Sequence, residues 1–258
     1  MISIDSRIED ARMRSYLRLY LVLGSGNCEG DPAAVVEEAI RGGVTIVQFR
    51  EKGANALKTP AKKELAMRIQ SVCRRHGIPF LVNDDVELAL ALNADGVHVG
   101  QNDEPAAQVR DRIGNKILGV SVHSAAEALL AEEQGADYLG VGPIYSTASK
   151  EDALEPQGTA IIQRLTEITS LPIVGIGGIT AERAPHVIRA GADGIAVISA
   201  ITHTEDRYQA AKMLVSRVTD SSTWNFAYVS CPLSACAYHE TKLNISTSNL
   251  CDKHEESA

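Results

Sequence analysis

Aromatic residues are scarce in this chain, with one Trp, three Phe and seven Tyr among 258 residues. A sandwich core filled by large rings is disfavoured. The frequent Gly and Ala, within an apolar content of 45%, suit tightly packed βα units. Long hydrophobic runs are also missing, and none approaches the ~20 residues of a membrane span. Positive charge is not in excess: 25 Lys and Arg face 33 Asp and Glu, a net charge of −8. That argues against general nucleic-acid binding and leaves room only for a local basic pocket. Met1 to Arg14 is polar and charged, without the apolar stretch of a signal peptide. The five cysteines (Cys28, Cys73, Cys231, Cys236, Cys251) form no close metal-type pairs. A cytoplasmic chain with free thiols is therefore expected.

What the chain does have is a regular alternation of strand-like and helix-like runs. Strands are expected at Leu17 to Leu23, Thr45 to Arg50, Pro79 to Asn83, Gly96 to Gly100, Ile117 to Val122, Tyr138 to Gly142, Pro172 to Ile176 and Gly194 to Ser199. Helical patterns follow each of them. Asp31-Pro32 supplies an N-cap and a first-turn proline. Ser124, with Glu127 three residues later, reads as a capping box. The strands are mostly continuous apolar runs, as expected when both faces are buried. Eight right-handed βα units in about 200 residues close naturally into a (β/α)8 TIM barrel of one domain. An open doubly wound sheet is the competitor, but Gly24-Ser25-Gly26-Asn27-Cys28-Glu29 lacks the third Gly of its dinucleotide turn. The expected organisation is an N-terminal segment 1–15, a barrel 16–218 and a flexible C-terminal extension 219–258. Trp224, Phe226 and Tyr228 of the extension are candidates for docking back. Its Asn244-Ile245-Ser246 is a chance match to a glycosylation acceptor.

In such a barrel the chemistry sits at the C-terminal strand ends. Gln48 and Arg50 lie two apart on one strand face, with Lys52 just beyond. A surface pair with Glu51 would explain the charges alone; an anion clamp explains their clustering. Asn83-Asp84-Asp85 and Gln101-Asn102-Asp103 end the next two strands, where helix caps are the plain alternative. Asp84 and Asp103 on adjacent strand ends, beside a cationic clamp, point to Mg²⁺ holding a pyrophosphate. His98 lies inside its strand and reads first as a hydrogen-bonded core residue. Ser121 and His123 can both look into the rim, although His123 equally suits a helix start. Ser146, Thr147, Ser149 and Lys150 form a donor-rich loop suited to oxyanions. Gly177-Gly178 after the seventh strand and Ile198-Ser199-Ala200 after the eighth offer backbone N–H groups for a phosphate.

Taken in order, Val47 to Lys52, Val82 to Asp85, Gly96 to Asp103, Gly142 to Lys150, Gly175 to Ile179 and Ala192 to Ser199 resemble the thiamine-phosphate synthase (thiamine-phosphate pyrophosphorylase) family. The resemblance covers about Tyr16 to Val218. It implies a transferase that joins 4-amino-2-methyl-5-pyrimidinylmethyl diphosphate to a thiazole phosphate. The products are thiamine monophosphate and pyrophosphate, with CO₂ released from a carboxylated acceptor. Matched residue by residue, the Gln48–Lys52 stretch, including Phe49 and Glu51, holds the pyrimidine pyrophosphate with Asn83. Asp84 and Asp103 bind Mg²⁺. Ser121 and Lys150 contact the pyrimidine substrate, and Arg50, Lys52, Ser121 and Lys150 act in the chemical step. Thr147, Ala148 and Ser149 face the thiazole, whose phosphate meets Gly178, Ile198 and Ser199. Two positions depart from the pattern: Ser149 replaces the usual Thr, and Ser146 a common Pro.

The resemblance implies small-molecule substrates as partners, with no nucleic acid and no membrane, and leaves homo-oligomerisation open. A sister branch, thiazole tautomerase, shares the phosphate cup but typically carries His at the position of Pro143 and lacks the metal carboxylates. Pro143, Asp84 and Asp103 all favour the synthase. A non-catalytic regulator on the same barrel is the other alternative. It has no need to keep clamp and carboxylates together.

Overall fold

The computed structural model describes residues 8–149 and 155–219. Eight parallel strands close into a barrel in sequence order. They are β1 (Leu19–Leu23), β2 (Ile46–Phe49), β3 (Phe80–Asn83), β4 (Gly96–Val99), β5 (Ile117–Val122), β6 (Tyr138–Val141), β7 (Ile173–Ile176) and β8 (Gly194–Val197). β8 pairs back onto β1, setting Leu19 against Ile195 and Leu21 against Val197. The outer ring is built from α2 (Pro32–Arg41), α3 (Ala61–Arg75), α4 (Val86–Ala91), α5 (Ala106–Ile113), α6 (Ala125–Glu133), α7 (Ala160–Thr166), α8 (Ala184–Arg189) and α10 (Arg207–Thr219). The (β/α)8 architecture is thus the one the alternation indicated. Helix starts follow local chemistry: Asp31 accepts the Ala33 N–H and Ser124 accepts the Glu127 N–H. The reciprocal bond of the expected capping box is shifted by one residue, because Glu127 accepts from the His123 N–H at 2.7 Å.

Strand alternation sorts the side chains into two layers. Val47, Phe49, Phe80, Val82, Leu139 and Val141 lie between sheet and helices. Tyr20, Val22, Ile46, Leu81, Ile117, Tyr138, Val174 and Ala196 fill the barrel interior. Period two places Gln48, Asn83, His98 and Ser121 on that interior side, toward the C-terminal strand ends. Phe49 therefore departs from the sequence expectation. It is 1% exposed and its ring stacks on Phe80 at 6.5 Å, so it serves the outer core, not the mouth.

Three elements were not anticipated, one of them the short 3₁₀ turn Ser25–Asn27 after β1. Residues 10–17, read as the end of a polar segment and the start of a strand, form helix α1 (Asp10–Leu17). Its buried Met13 and Leu17 belong to the interior cluster that also holds Tyr20, Ile46 and Ile117. Burying each stabilises by about 1.5–3 kcal/mol. Arg14 anchors the helix through Asp193 at 2.6 Å and the Ser170 carbonyl at 2.6 Å. A Cβ at Gly194 would sit 1.8 Å from the Leu17 carbonyl oxygen, so only glycine admits this approach. The third element is a short helix, α9 (Ser199–Thr202), directly after β8. The expected C-terminal extension lies outside the described residues, apart from Thr219, which ends α10.

Candidate active site

A cavity of about 520 Å³ opens at the C-terminal strand ends. Gln48, Arg50, Asn83 and Ser121 line one part of it; Thr147, Ala148, Ser149, Gly178, Ile198 and Ser199 line another. These residues come from six strand ends, and the sequence reading had named all of them. Lys150 lies outside the described residues.

The second strand end is built by close contact with the first. The Arg50 N–H donates to the Leu23 carbonyl at 2.7 Å. A Cβ at Gly24 would stand 2.1 Å from the Arg50 carbonyl oxygen. Glu51 does not face the cavity in the way the family pattern implied. Its carboxylate accepts from the Ser25 N–H at 2.9 Å, the Ser25 hydroxyl at 2.5 Å and the Leu57 N–H at 2.8 Å. It staples the loop after β1 to the loop after β2, with Arg50 and Lys52 on either side of it.

Lys52, Asp84 and Asp103 form one charged cluster. The Lys52 ammonium pairs with Asp84 and lies 3.5 Å from Asp103. Burial opposes the ammonium charge, but the two carboxylates outweigh it and hold the Lys52 pKa above its ordinary value. Asp84 sits at φ +60°, a left-handed conformation that Asp tolerates better than most residues. Burial and the hydrogen bond shared with Asp103 push its carboxyl up to about 6, against the opposing pull of Lys52. Its Oδ2 is buried and faces Lys52, yet accepts no hydrogen bond of good geometry. Burial also works against the Asp103 charge. The bonds from Asp84, the Gly100 N–H and Lys52 prevail and hold that carboxyl below its ordinary value. Neither residue caps a helix. Capping falls to Asp85, which accepts the Leu88 N–H at 2.9 Å and pairs with Lys62 at 2.7 Å.

The other part of the cavity is framed by backbone. Gly177 and Gly178 have φ of +100° and +61°. A Cβ at Gly178 would meet the Ser146 carbonyl oxygen at 2.4 Å, so this glycine also lets two loops touch. Ser149 donates to the Ser199 hydroxyl at 3.2 Å and joins the β6 loop to the start of α9. The first N–H groups of a helix have no partner within it and favour anions.

Several cavity residues were missed or placed low by sequence reasoning. Arg183 lines the cavity, donates to the Gly178 carbonyl at 2.7 Å and lies over the Tyr145 ring at 4.8 Å. Nothing around it in the sequence marks it out. His123 lines the cavity as well, while its backbone N–H and Nδ1 meet Glu127 at the start of α6. Tyr20 and His98 reach the cavity floor. A tyrosine within an apolar strand reads as core, which Tyr20 also is.

A closed parallel barrel with cations, carboxylates and glycine-rich backbone gathered at one rim defines an enzyme that handles phosphorylated small molecules. The family model for thiamine monophosphate synthase (TMP-TENI) matches residues 19–201. The thiamine-phosphate synthase of Geobacillus kaustophilus is 55% identical over 218 residues, spanning 84% of this chain and 99% of that one. That of Bacillus licheniformis is 50% identical over 214 residues, spanning 83% and 96%. A solved thiamine phosphate pyrophosphorylase from Pyrococcus furiosus superposes with a TM-score of 0.73 at 36% identity, over 81% of this chain and 98% of that one. The chain belongs to the thiamine monophosphate synthase family and is a transferase. Among the described residues no helix is long and apolar enough to cross a membrane.

Proposed function

We propose that this transferase condenses 4-amino-2-methyl-5-pyrimidinylmethyl diphosphate with a thiazole phosphate, giving thiamine monophosphate and pyrophosphate. One observation carries the reading. A single cavity joins Arg50 at the end of β2 to a separate backbone cup at Gly178, Ile198 and Ser199, while Lys52, two residues beyond Arg50, pairs with Asp84 outside the cavity lining. Two phosphorylated substrates need two anion sites of different character facing one space.

The carbon that changes partners is benzylic in type and sits on an electron-rich aminopyrimidine, so it can shed pyrophosphate as the bond breaks. The demanding task is to stabilise the departing negative charge. Arg50 offers a planar fork and Lys52 a point charge beside it. Donors fixed where charge develops are the largest usual contribution to such a step. Lys150 is assigned the same role by its place in the motif. Gln48 and Ser121 hold the pyrimidine ring, with Asn83 beside the diphosphate. The cup at Gly178, Ile198 and Ser199 holds the thiazole phosphate, and Thr147 and Ser149 orient the ring. The thiazole nitrogen then attacks a carbon already in place, so proximity supplies much of the remaining acceleration. Bond formation needs no general base, and Ser121, His98 and His123 are not asked to act as one. A carboxylated thiazole would lose CO₂ afterwards.

Asp84 and Asp103 fit a Mg²⁺ site. They are hard oxygen donors, adjacent, and the buried Asp84 Oδ2 has the Lys52 ammonium as its partner, a positive charge whose place a cation can share. When bound, Mg²⁺ supplies positive charge to the diphosphate oxygens. The test is turnover: purified protein is mixed with both substrates and Mg²⁺, and thiamine monophosphate is followed by its oxidised fluorescence. Product that needs both substrates and vanishes with EDTA supports the reading. Folded protein that makes none overturns it, and thiazole isomerisation is then the activity to assay.

A further inference from the structure

Beneath the cavity, five strands contribute one continuous hydrogen-bonded chain. Gln48 Nε2 donates to the Tyr20 hydroxyl at 2.7 Å. The Tyr20 and Tyr138 hydroxyls meet at 2.8 Å. The Tyr138 hydroxyl lies 2.8 Å from His98 Nδ1, and His98 Nε2 lies 2.8 Å from Ser121 Oγ. The chain begins at one cavity-lining side chain, Gln48 on β2, and ends at another, Ser121 on β5. Its middle members, Tyr20, Tyr138 and His98, are buried. Room for them is reserved by glycine. A Cβ at Gly119 would stand 2.1 Å from the Tyr138 ring and 2.5 Å from His98 Nδ1, and one at Gly140 would stand 2.9 Å from His98 Cε1.

Each phenol holds one proton, and so does a neutral imidazole. With Gln48 Nε2 donating, Tyr20 directs its proton to Tyr138. Tyr138 directs its proton to His98 Nδ1, which must be bare. The imidazole proton then sits on Nε2 and goes to the Ser121 oxygen. That leaves the Ser121 proton for the cavity, and the Gln48 carbonyl oxygen as an acceptor at the opposite end.

We propose that Gln48, Tyr20, Tyr138, His98 and Ser121 form a polarity relay that fixes an acceptor at Gln48 and a donor at Ser121, with Tyr20, Tyr138 and His98 as positioning residues. The relay rests on the function proposed above for its ligand. An aminopyrimidine offers an amino donor and ring-nitrogen acceptors, so it needs two ends of opposite polarity held in register.

The test reads the proton on His98 directly, without substrate. Enzyme carrying ¹⁵N-histidine is examined by NMR, with the His98 signals assigned by their loss in His98→Asn. The wild-type ring is expected to show a bare Nδ1 and a protonated Nε2; a proton on Nδ1 alone overturns the direction of the relay. Gln48→Glu replaces a donor with a carboxylate that only accepts, and it does not touch His98. It is expected to reverse the chain and place a proton on His98 Nδ1. In a Tyr20→Phe background the same substitution is expected to change nothing at His98. A bare Nδ1 in folded Gln48→Glu overturns the proposal, and if that variant fails to fold the wild-type spectrum still decides it. In turnover, Tyr138→Phe is expected to raise KM for the pyrimidine diphosphate about tenfold, the scale of one net hydrogen bond, while KM for the thiazole phosphate stays within about twofold. An equal rise in both overturns the positioning role. Because the tautomer readout uses no ligand, its failure is distinguishable from failure of the functional reading.

Discussion

The Glu51 carboxylate accepts both the backbone N–H and the hydroxyl of Ser25, at 2.9 and 2.5 Å, and so ties the loop after β1 to the strand end that carries Arg50 and Lys52. Its third bond, from the Leu57 N–H, holds the far side of the loop after β2. Glu51→Ala leaves three donors without their acceptor. The expected cost is about 1–3 kcal/mol of stability, seen as a fall of several degrees in Tm. A drop in kcat/KM should accompany it at temperatures where the variant is still folded, because Arg50 and Lys52 lose their fixed support. Calorimetry with steady-state kinetics on one preparation checks both.

Leu17 offers the contrast. It is fully buried at the closed end of the barrel, away from the cavity. Leu17→Ala should destabilise by about 2–5 kcal/mol. Neither KM should move at temperatures where the protein is folded. Denaturant titration gives the first number, and a shifted KM would show that the plug and the mouth are coupled.

Asp84→Asn separates the backbone demand at this position from the charge. Asn tolerates φ near +60° as Asp does, so the variant should fold with a Tm near that of the parent. Loss of the carboxylate should lower turnover at saturating substrates by about 10²-fold, the equivalent of roughly 3 kcal/mol of charge stabilisation. The Mg²⁺ concentration for half-maximal rate should rise. Unchanged Mg²⁺ dependence would remove Asp84 from the metal site.

Cys73 bears on alkaline behaviour. Burial, with Asp95 nearby, pushes its thiol up to about 12. A thiol whose folded pKa is raised is neutral in both states below the unfolded value, near 9.0, and opposes folding only above it. Stability should therefore fall as pH rises from about 9 toward 12, by up to about 1.4 kcal/mol per pH unit for each such group. Burial raises the Tyr20 and Tyr138 phenols as well, steepening the loss. At pH 8 the native Cys73 peptide should resist alkylation, as mass spectrometry can show, whereas the unfolded chain should react.

Much of the fold is written in local chemistry. The eight apolar strand runs, Asp31-Pro32 and Ser124 each mark a boundary whose cause is short-range. The rim residues could be read because a Gln, Arg or Asp at the end of an apolar run has few structural reasons to be there. Leu17 and Met13 could not be placed, since a two-residue apolar face on a polar octapeptide becomes meaningful only when a barrel end is available to cover it. Phe49 and Glu51 were assigned to the substrate by adjacency within a motif. Strand alternation turns Phe49 outward, and Glu51 meets loop donors from Ser25 and Leu57 that are distant in sequence. Tyr20 and Tyr138 looked like ordinary core because their hydroxyl partners lie on other strands.

The proposed function requires two anion sites of different character facing one cavity. A crystal structure of the enzyme with Mg²⁺, pyrophosphate and thiamine monophosphate tests it directly. Pyrophosphate is expected against Arg50, Lys52 and Asn83, with the metal at Asp84 and Asp103, and the thiamine phosphate group against the backbone of Gly178, Ile198 and Ser199. Both phosphorus groups at one end, or either outside the cavity, would contradict it.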